Sequence, residues 1–206
     1  MNVVELYIDF LCSELGEEYV ELMTIPPGKI VLDARREDLF KHKHVVLWHR
    51  FACRYLPIAK GLVALVLPCT RIKPYRISAT HRLAEARIRK LGIEPFVDVY
   101  ILSEPMALVP RELDIYYPFA NYDYDPKLLS DEHREMLIGI VAKILSKFDV
   151  YKHVIAVLPR HHRKIFESSV LRAGINNVTL FNYDRLAFKS VAEAVDFAAK
   201  IIAKLA

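Results

Sequence analysis

Five side chains able to carry out chemistry lie within fourteen residues of one another, between Pro68 and His81. They are a thiol, an amine, a phenol, a hydroxyl and an imidazole, at Cys69, Lys73, Tyr75, Ser78 and His81. Neighbouring cations favour the thiolate form of a cysteine, which is its nucleophilic form. An imidazole donates or accepts protons near neutral pH. Loops that only connect two elements seldom hold so many reactive groups, so this stretch is a predicted active or binding site.

Three of these residues also have a structural interpretation. A free cysteine often packs as a small hydrophobic residue, so Cys69 is either a nucleophile activated by Arg71 and Lys73 or a packing residue. Ser78 stands where it would cap the helix that follows. A solitary histidine such as His81 is often structural. These alternatives stay open from the residues alone.

A second polar cluster follows the next apolar segment of the chain. It contains carboxylates, an arginine and aromatic rings, at Glu104, Arg111, Glu112, Tyr117, Phe119, Tyr122 and Asp123. The charged groups offer acid–base chemistry or ammonium binding, and the rings offer stacking on a base flipped out of its helix. The alternative is an ordered loop, rich in proline and tyrosine, that packs on the core. The length of the loop favours a function.

A third cluster, Arg160-His-His-Arg-Lys164, opens a predicted helix. Positive side chains and free backbone amides coincide there, so Arg160, Arg163 and Lys164 are predicted to bind RNA phosphates, with a solvated basic turn as the alternative. The histidine pair lacks the spacing of a metal site. No GxGxxG or GKS/GKT pattern occurs, which argues against nucleotide triphosphates and dinucleotides. We therefore predict neither a metal nor a cofactor.

The three clusters lie between predicted strands and helices that alternate along the chain. The predicted strands are 61–67, 96–102, 153–158 and 178–181, and the predicted helices are 35–55, 79–91, 130–148, 160–173 and 190–205. Residues 103–129 are predicted as a long loop. This order predicts an α/β fold, a three-layer α/β/α sandwich with a mainly parallel four-stranded sheet. Ligands bind beyond the carboxyl ends of such strands, so the first two clusters are expected to face each other.

Composition limits the class of protein. With 206 residues, 53% of them hydrophobic, the chain fits a single core domain over 35–206 preceded by an N-terminal extension over 1–34. Three cysteines without a CxxC pair indicate neither a zinc site nor a disulfide framework, and fit a reducing cytoplasm. The longest apolar run, 62–67, is too short to cross a membrane, and no secretory signal is visible. A net charge of +4 permits nucleic-acid binding without requiring it.

The first cluster resembles the signature of archaeosine synthases. The matching positions are Pro68, Cys69, Lys73, Pro74, Tyr75, Ser78 and His81. The segments 103–105, 108–113, 117–118 and 122–123, and the preceding helix from Trp48 to Tyr55, are also similar, so the resemblance covers about residues 40–160. Met106-Ala107 departs from the Leu-Gly that the family pattern has.

The resemblance implies a fold like that of uracil-DNA glycosylase and a role in tRNA modification. Archaeosine synthases add an amine, lysine in the characterised type, to the nitrile of 7-cyano-7-deazaguanine in the D-loop of tRNA. A radical-SAM partner then cleaves the adduct to leave archaeosine. The relatives also carry a transglycosylase-like region and a PUA module. Because only the core that bears the signature is seen in this sequence, we expect either a separate RNA-binding subunit or a split or repurposed version of the enzyme.

The resemblance also implies roles for individual residues. The implied catalytic residues are Cys69, Lys73, His81 and Asp123, and the implied substrate-binding residues are Tyr75, Ser78, Glu104, Arg111 and Tyr122. Either the Cys69 thiolate attacks the nitrile to give a thioimide, with His81 or Asp123 moving protons, or the amine attacks directly and Cys69 only packs. In this scheme Lys73 holds a phosphate or a carboxylate and Tyr75 stacks on the deazaguanine.

Two other functions remain. A non-catalytic RNA-binding or scaffold subunit would keep this fold without the chemistry. A base-excising glycosylase rests on fold analogy alone. It would need a water-activating acid directly after the first strand, where Cys69-Thr70-Arg71 stands instead.

Overall fold

A central sheet of five strands organises the computed structural model, which describes residues 2–58, 61–183 and 187–205. The strands in chain order are β1 (Leu32–Asp33), β2 (Val63–Pro68), β3 (Val97–Ser103), β4 (Ala107–Pro110), β5 (Tyr122–Asp123), β6 (His153–Leu158) and β7 (Val178–Asn182). The central sheet has the order β4-β3-β2-β6-β7, and all its neighbours are parallel except β3 and β4. Strands β1 and β5 form a separate parallel pair. The predicted α/β class is therefore confirmed.

The fifth strand of the sheet corrects two predictions, the count of four strands and the loop over 103–129. Strand β4 lies in that segment and runs back antiparallel along β3, with Ser103 opposite Ala107. Prolines at 105, 110 and 118 suggested irregular backbone, but Pro110 ends a strand at the sheet edge, where a missing N–H donor is tolerated. Four residues between prolines are also too few to show a strand period.

Seven helices surround the sheet in the described ranges. They are α1 (Val3–Leu15), α2 (Glu18–Met23), α3 (Lys43–Arg54), α4 (Ala79–Lys90), α5 (Asp131–Leu145), α6 (Arg160–Ala173) and α7 (Phe188–Ala203). Helix α3 begins at Lys43 and not at residue 35, because Leu39 and Phe40 enter the core from turns before it. Helix α5 ends at Leu145, three residues before the predicted end. The weakly patterned N-terminal region holds α1 and α2.

The two faces of the sheet bury different helices. Along β2, Ala64 and Val66 join the core with α1, α3, α5 and α6, whereas Val63, Leu65 and Leu67 pack with α4 and α7. Side chains of a strand alternate between faces, so a strand covered on both faces is apolar throughout, as β2 is. This gives the three layers. Although α1 packs into the larger core, the division of the chain at residue 34 stays a prediction.

Local signals fix where the helices begin and end. The Ser78 Oγ accepts a hydrogen bond from the His81 backbone N at 3.5 Å and caps α4. The side chain of Ser130 accepts one from His133 at 3.1 Å and caps α5. Gly174 ends α6 with φ of 72°, a left-handed conformation that glycine adopts at little cost. None of the described helices is both long enough and apolar enough to cross a bilayer.

Two glycines give a matched test of this packing. In the Gly61→Ala variant, the added Cβ would lie 2.7 Å from the Phe96 carbonyl oxygen, so the backbone must move. We expect a loss of about 1–3 kcal/mol of unfolding free energy. The Gly139→Ala variant meets only the Arg172 side chain, at 3.6 Å, inside α5. It should gain about 0.5–1 kcal/mol, because alanine is the better helix former.

Urea unfolding followed by the fluorescence of Trp48, the chain's single tryptophan, measures both effects. Equal stability of the two variants would contradict the close approach of residue 61 to the start of β3.

Candidate active site

A cavity of about 480 Å³ opens at the carboxyl ends of β2 and β3, beside the first turn of α6. Its lining includes five of the predicted site residues, namely Cys69, Lys73, Glu104, Tyr122 and Asp123. The loops after β2 and β3 therefore face each other, because these two parallel strands are direct neighbours in the sheet. The first and second sequence clusters form one site.

Three side chains converge at the bottom of this cavity from three elements. Cys69 follows β2, Glu104 follows β3, and His162 lies in the first turn of α6. The Nε2 atom of His162 lies 2.8 Å from the Glu104 Oε2 and 3.9 Å from the Cys69 Sγ. His162 and Glu104 are almost completely buried, and Cys69 is partly exposed. We call these three residues the Cys–His–Glu cluster.

The Cys–His–Glu cluster holds its histidine in the charged form. Burial alone would lower the pKa of His162, but the Cys69 sulfur and the Glu104 carboxylate outweigh burial and raise it to about 10. Burial alone would raise the pKa of Glu104, but the facing His162 lowers it below its ordinary value. A protonated imidazole therefore lies beside the sulfur and offers an N–H to a substrate in the cavity.

Lys73 lies in the same cavity on an aromatic surface. Its Nζ is 4.2 Å from the centre of the Tyr122 ring and 5.8 Å from that of the Tyr75 ring. Burial lowers the pKa of Lys73, while Cys69 and Asp123 act in the opposite direction. The Lys73 amine therefore lies in the cavity wall against the face of the Tyr122 ring.

Tyr75 holds the cavity wall together and does not line the cavity in the described part of the chain. Its ring is fully buried, and its hydroxyl lies 2.5 Å from the Tyr122 hydroxyl and 3.3 Å from the Ser103 Oγ. Tyr122 and Ser103 also contact each other. A ring buried in this way presents no free face to a base, so the geometry gives no support to the stacking role predicted for Tyr75.

His81 lies outside the cavity, behind the end of β2. Its Nε2–H donates to the Pro68 carbonyl oxygen at 2.9 Å, one residue before Cys69. Burial lowers the pKa of His81 to about 4, so the ring is neutral near pH 7. It fixes the backbone that carries the thiol and does not face the cavity, whose lining over the described residues excludes it. This geometry does not support the proton-moving role predicted for His81.

Ser78 and Arg111 also lie away from the cavity described here. Ser78 is buried and caps α4. Arg111 forms ion pairs with Glu85 of α4 and with the buried Asp114. Both residues thus already have partners within the protein, so the geometry gives no support to the substrate-binding role predicted for them.

Asp123 reaches the cavity rim through the small parallel sheet. Strand β5 pairs with β1, where Asp33 lies opposite Asp123. Arg35 bridges the two carboxylates, with its Nη2 3.1 Å from the Asp123 Oδ2 and its Nε 3.0 Å from the Asp33 Oδ1. Sequence reasoning missed Arg35, because no local pattern brings residues 35 and 123 together.

The predicted phosphate-binding residues lie beside the cavity and not in it, as far as the described residues show. Arg160 and Lys164 are exposed, and Arg163 contacts Glu167 and Asn182. His161 and His162 of the same turn do line the cavity. Their position in the sequence could have revealed them, because they come shortly after β6, whose carboxyl end lies at the same sheet edge as that of β2.

His81 gives a prediction for the pH dependence of stability. The folded protein holds its pKa near 4, against an ordinary value of 6.5. Between these values the unfolded chain binds the extra proton, so this histidine makes stability fall as pH falls from about 6.5 to about 4. His81→Gln keeps an N–H donor for Pro68 and does not titrate. It should lose less stability than the wild type over that range.

Urea unfolding at pH 7, 5.5 and 4.5 measures the difference between the two proteins. Parallel pH curves for them would contradict a buried, neutral His81.

The Cys–His–Glu cluster predicts the order in which the thiols are alkylated. With iodoacetamide at pH 7, Cys69 should react faster than the exposed Cys12, because a protonated His162 lies 3.9 Å from its sulfur. In the His162→Gln variant the Cys69 rate should fall about tenfold or more, while the Cys12 rate stays unchanged. Peptide mass spectrometry reads both sites, and Cys53, whose pKa is raised by burial, is the slow reference. An unchanged Cys69 rate would contradict the assignment.

The sequence matches a family model and several curated proteins. Residues 45–194 match the family described as Domain of unknown function (DUF5591). The chain is 35% identical over 143 residues to the archaeosine synthase subunit alpha of Methanosarcina acetivorans, covering 65% of this chain and 22% of that protein. It is 36% identical over 110 residues to the archaeosine synthase of Methanocaldococcus jannaschii, covering 51% and 18%. The chain thus spans about a fifth of the length of the curated relatives it matches.

One solved structure supports the fold. The crystal structure of AF0587, a protein of unknown function, superposes with a TM-score of 0.50 at 20% sequence identity, covering 74% of this chain and 49% of that one. The resemblance to archaeosine synthases inferred from the residues is confirmed by the curated relatives. Because the family model spans more than half of the chain, this protein belongs to the DUF5591 family.

Proposed function

We propose that this chain is a tRNA-modifying transferase core that adds an amine, lysine being the first candidate, to the nitrile of 7-cyano-7-deazaguanine in tRNA. The observation that carries the proposal is the Cys69 Sγ lying 3.9 Å from the Nε2 of a buried, protonated His162. The names of the curated relatives support a place in archaeosine formation.

A nitrile needs both a nucleophile at its carbon and a proton at its nitrogen. In the proposed first step the Cys69 thiolate forms a C–S bond, and the His162 Nε2–H gives its proton to the nitrile nitrogen. The product is a thioimide linked to the protein. Glu104 remains ionised: before the step it accepts the hydrogen bond from this same Nε2–H at 2.8 Å and orients the ring, and the nitrile nitrogen replaces it as the acceptor when the proton is transferred.

The second step releases the thiol. The amine nitrogen attacks the thioimide carbon, the new C–N bond forms and the C–S bond breaks. His162, neutral after the first step, takes the proton that the amine loses. The cluster returns to its starting charge, and the nucleoside carries an amidine. No oxidant, reductant or metal enters this balance.

The other cavity groups fit recognition of the two substrates. Tyr124 and Tyr183 line the cavity with partly exposed rings and replace Tyr75 as the residues that stack on the base. Lys73 and Arg71 are cations for a phosphate or a carboxylate. Asp123 is the candidate partner for an ammonium group, although Arg35 already shares it.

Partners complete the proposed system. Arg160 and Lys164, exposed beside the cavity, are proposed to bind RNA phosphates. A separate RNA-binding subunit of PUA type and a radical-SAM protein that cleaves the adduct are the partners we propose, with tRNA as the substrate.

Incubating the chain with nitrile-bearing tRNA and lysine, with and without a radical-SAM partner, tests the function by nucleoside mass. We expect a mass gain equal to one lysine without the radical-SAM partner, and a gain equal to one ammonia where the partner has cleaved the adduct. Cys69→Ala should lower the rate by at least about a hundredfold, while Cys53→Ala, which leaves the cavity intact, should not change it.

Each outcome has a defined meaning for the proposal. Adduct formation that persists in Cys69→Ala would refute the thioimide route and favour direct attack by the amine. No mass gain with the wild type in either mixture would favour a scaffold subunit over an enzyme.

A further inference from the structure

The Cys–His–Glu cluster has a second chemical capacity, as a set of metal ligands. One donor atom from each of Cys69, Glu104 and His162 lies within 4.8 Å of the other two. Thiolate, imidazole and carboxylate together are a donor set that zinc accepts, and three protein ligands leave one coordination position for a small molecule. The partly exposed sulfur places that position toward the cavity.

We propose that these three residues bind one thiophilic divalent cation of the zinc type, with an open position facing the cavity. The distances fit with little movement. Tetrahedral zinc, about 2.3 Å from sulfur and about 2.0 Å from nitrogen or oxygen, places nitrogen and oxygen about 3.3 Å apart and sulfur about 3.5 Å from either of them. The observed separations are 3.9 Å for the S···N pair and 2.8 Å for the N···O pair. Shifts of about half an ångström bring these two pairs into range, and the third pair, sulfur and carboxylate oxygen, lies within 4.8 Å.

A second observation points to a ligand at the same place. Glu104 is 2% exposed, and its Oε1 atom is buried without a hydrogen-bond partner among the described residues. A buried carboxylate oxygen usually has a partner, and leaving it without one costs free energy. A cation bound beside this carboxylate would give the unpartnered oxygen a partner, and it would take the place of the proton that now lies between the other oxygen and His162.

Charges around the cluster allow a cation to enter. Cys69 and Glu104 supply two negative charges once the cation displaces the proton from His162. The Lys73 amine repels a cation when it is protonated, but it lies over the face of the Tyr122 ring, which attracts positive charge. Asp123 lines the same cavity and adds a carboxylate.

Metal binding inhibits the transferase reaction, a consequence that rests on the proposed function. A cation that holds the Cys69 sulfur removes the nucleophile, and one that holds the His162 Nε2 removes the proton donor. Zinc and the nitrile therefore compete for the cluster, and the metal-bound form is the inactive form of the transferase.

Titration with Co²⁺ tests the site without reference to activity. The reduced, metal-free full chain should bind one equivalent and show the thiolate-to-cobalt charge-transfer absorption. Cys69→Ser should lose this absorption, and Cys53→Ser should keep it. Glu104→Gln retains the thiol and should weaken binding about tenfold or more. Circular dichroism confirms that each variant is folded.

Absorption that persists in Cys69→Ser, or its absence from the wild type, would overturn the metal site. Zinc should also protect Cys69, and not Cys12, from iodoacetamide, and a chelator should restore the reaction. If lysine addition occurs without metal binding, the metal inference alone fails. If the metal binds and no lysine is added, the proposed function alone fails.

Discussion

The buried ion pair between His162 and Glu104 is the interaction on which the rest of the site depends. Removing two charges from water is costly, and the cost is offset only when the charges meet at good geometry. Here the 2.8 Å contact joins the loop after β3 to the first turn of α6, next to the end of β2. The pair therefore ties three elements together and sets a positive charge beside the Cys69 sulfur.

Hydrogen bonds from side chains to backbone carbonyls, outside the cavity, hold these elements in place. In α3, the Trp48 Nε1–H donates to the Met106 carbonyl oxygen at 2.6 Å, and the His49 Nε2–H donates to that of Pro105 at 2.7 Å. Both carbonyls directly follow Glu104. On the other side His81 holds the carbonyl that precedes Cys69. Trp48, His49 and His81 therefore hold the backbone next to the reactive residues. This explains why the resemblance to archaeosine synthases includes the helix before the sheet and the last residue of the first cluster.

The sequence alone predicted the α/β class and the two loops that face each other, but it did not predict every side-chain contact in the site. The apolar run of β2 and the fixed spacing from Cys69 to His81 were visible locally, and helix periodicity gave α4 and α6. His162 was missed as the partner of Cys69 because 93 residues separate them and only the strand order brings them together. Tyr75 and His81 looked reactive, but sequence cannot tell a buried supporting side chain from one that faces a cavity.

The central claim, that Cys69 forms a covalent bond to the nitrile carbon, is tested most directly by leaving the amine out. Nitrile-bearing tRNA is incubated with the chain alone, the RNA is digested, and the protein is measured by intact and peptide mass spectrometry. The account predicts one nucleoside-derived adduct, on the peptide that contains Cys69. Lysine addition proceeding in the complete mixture, with no adduct on Cys69 when lysine is withheld, would contradict it.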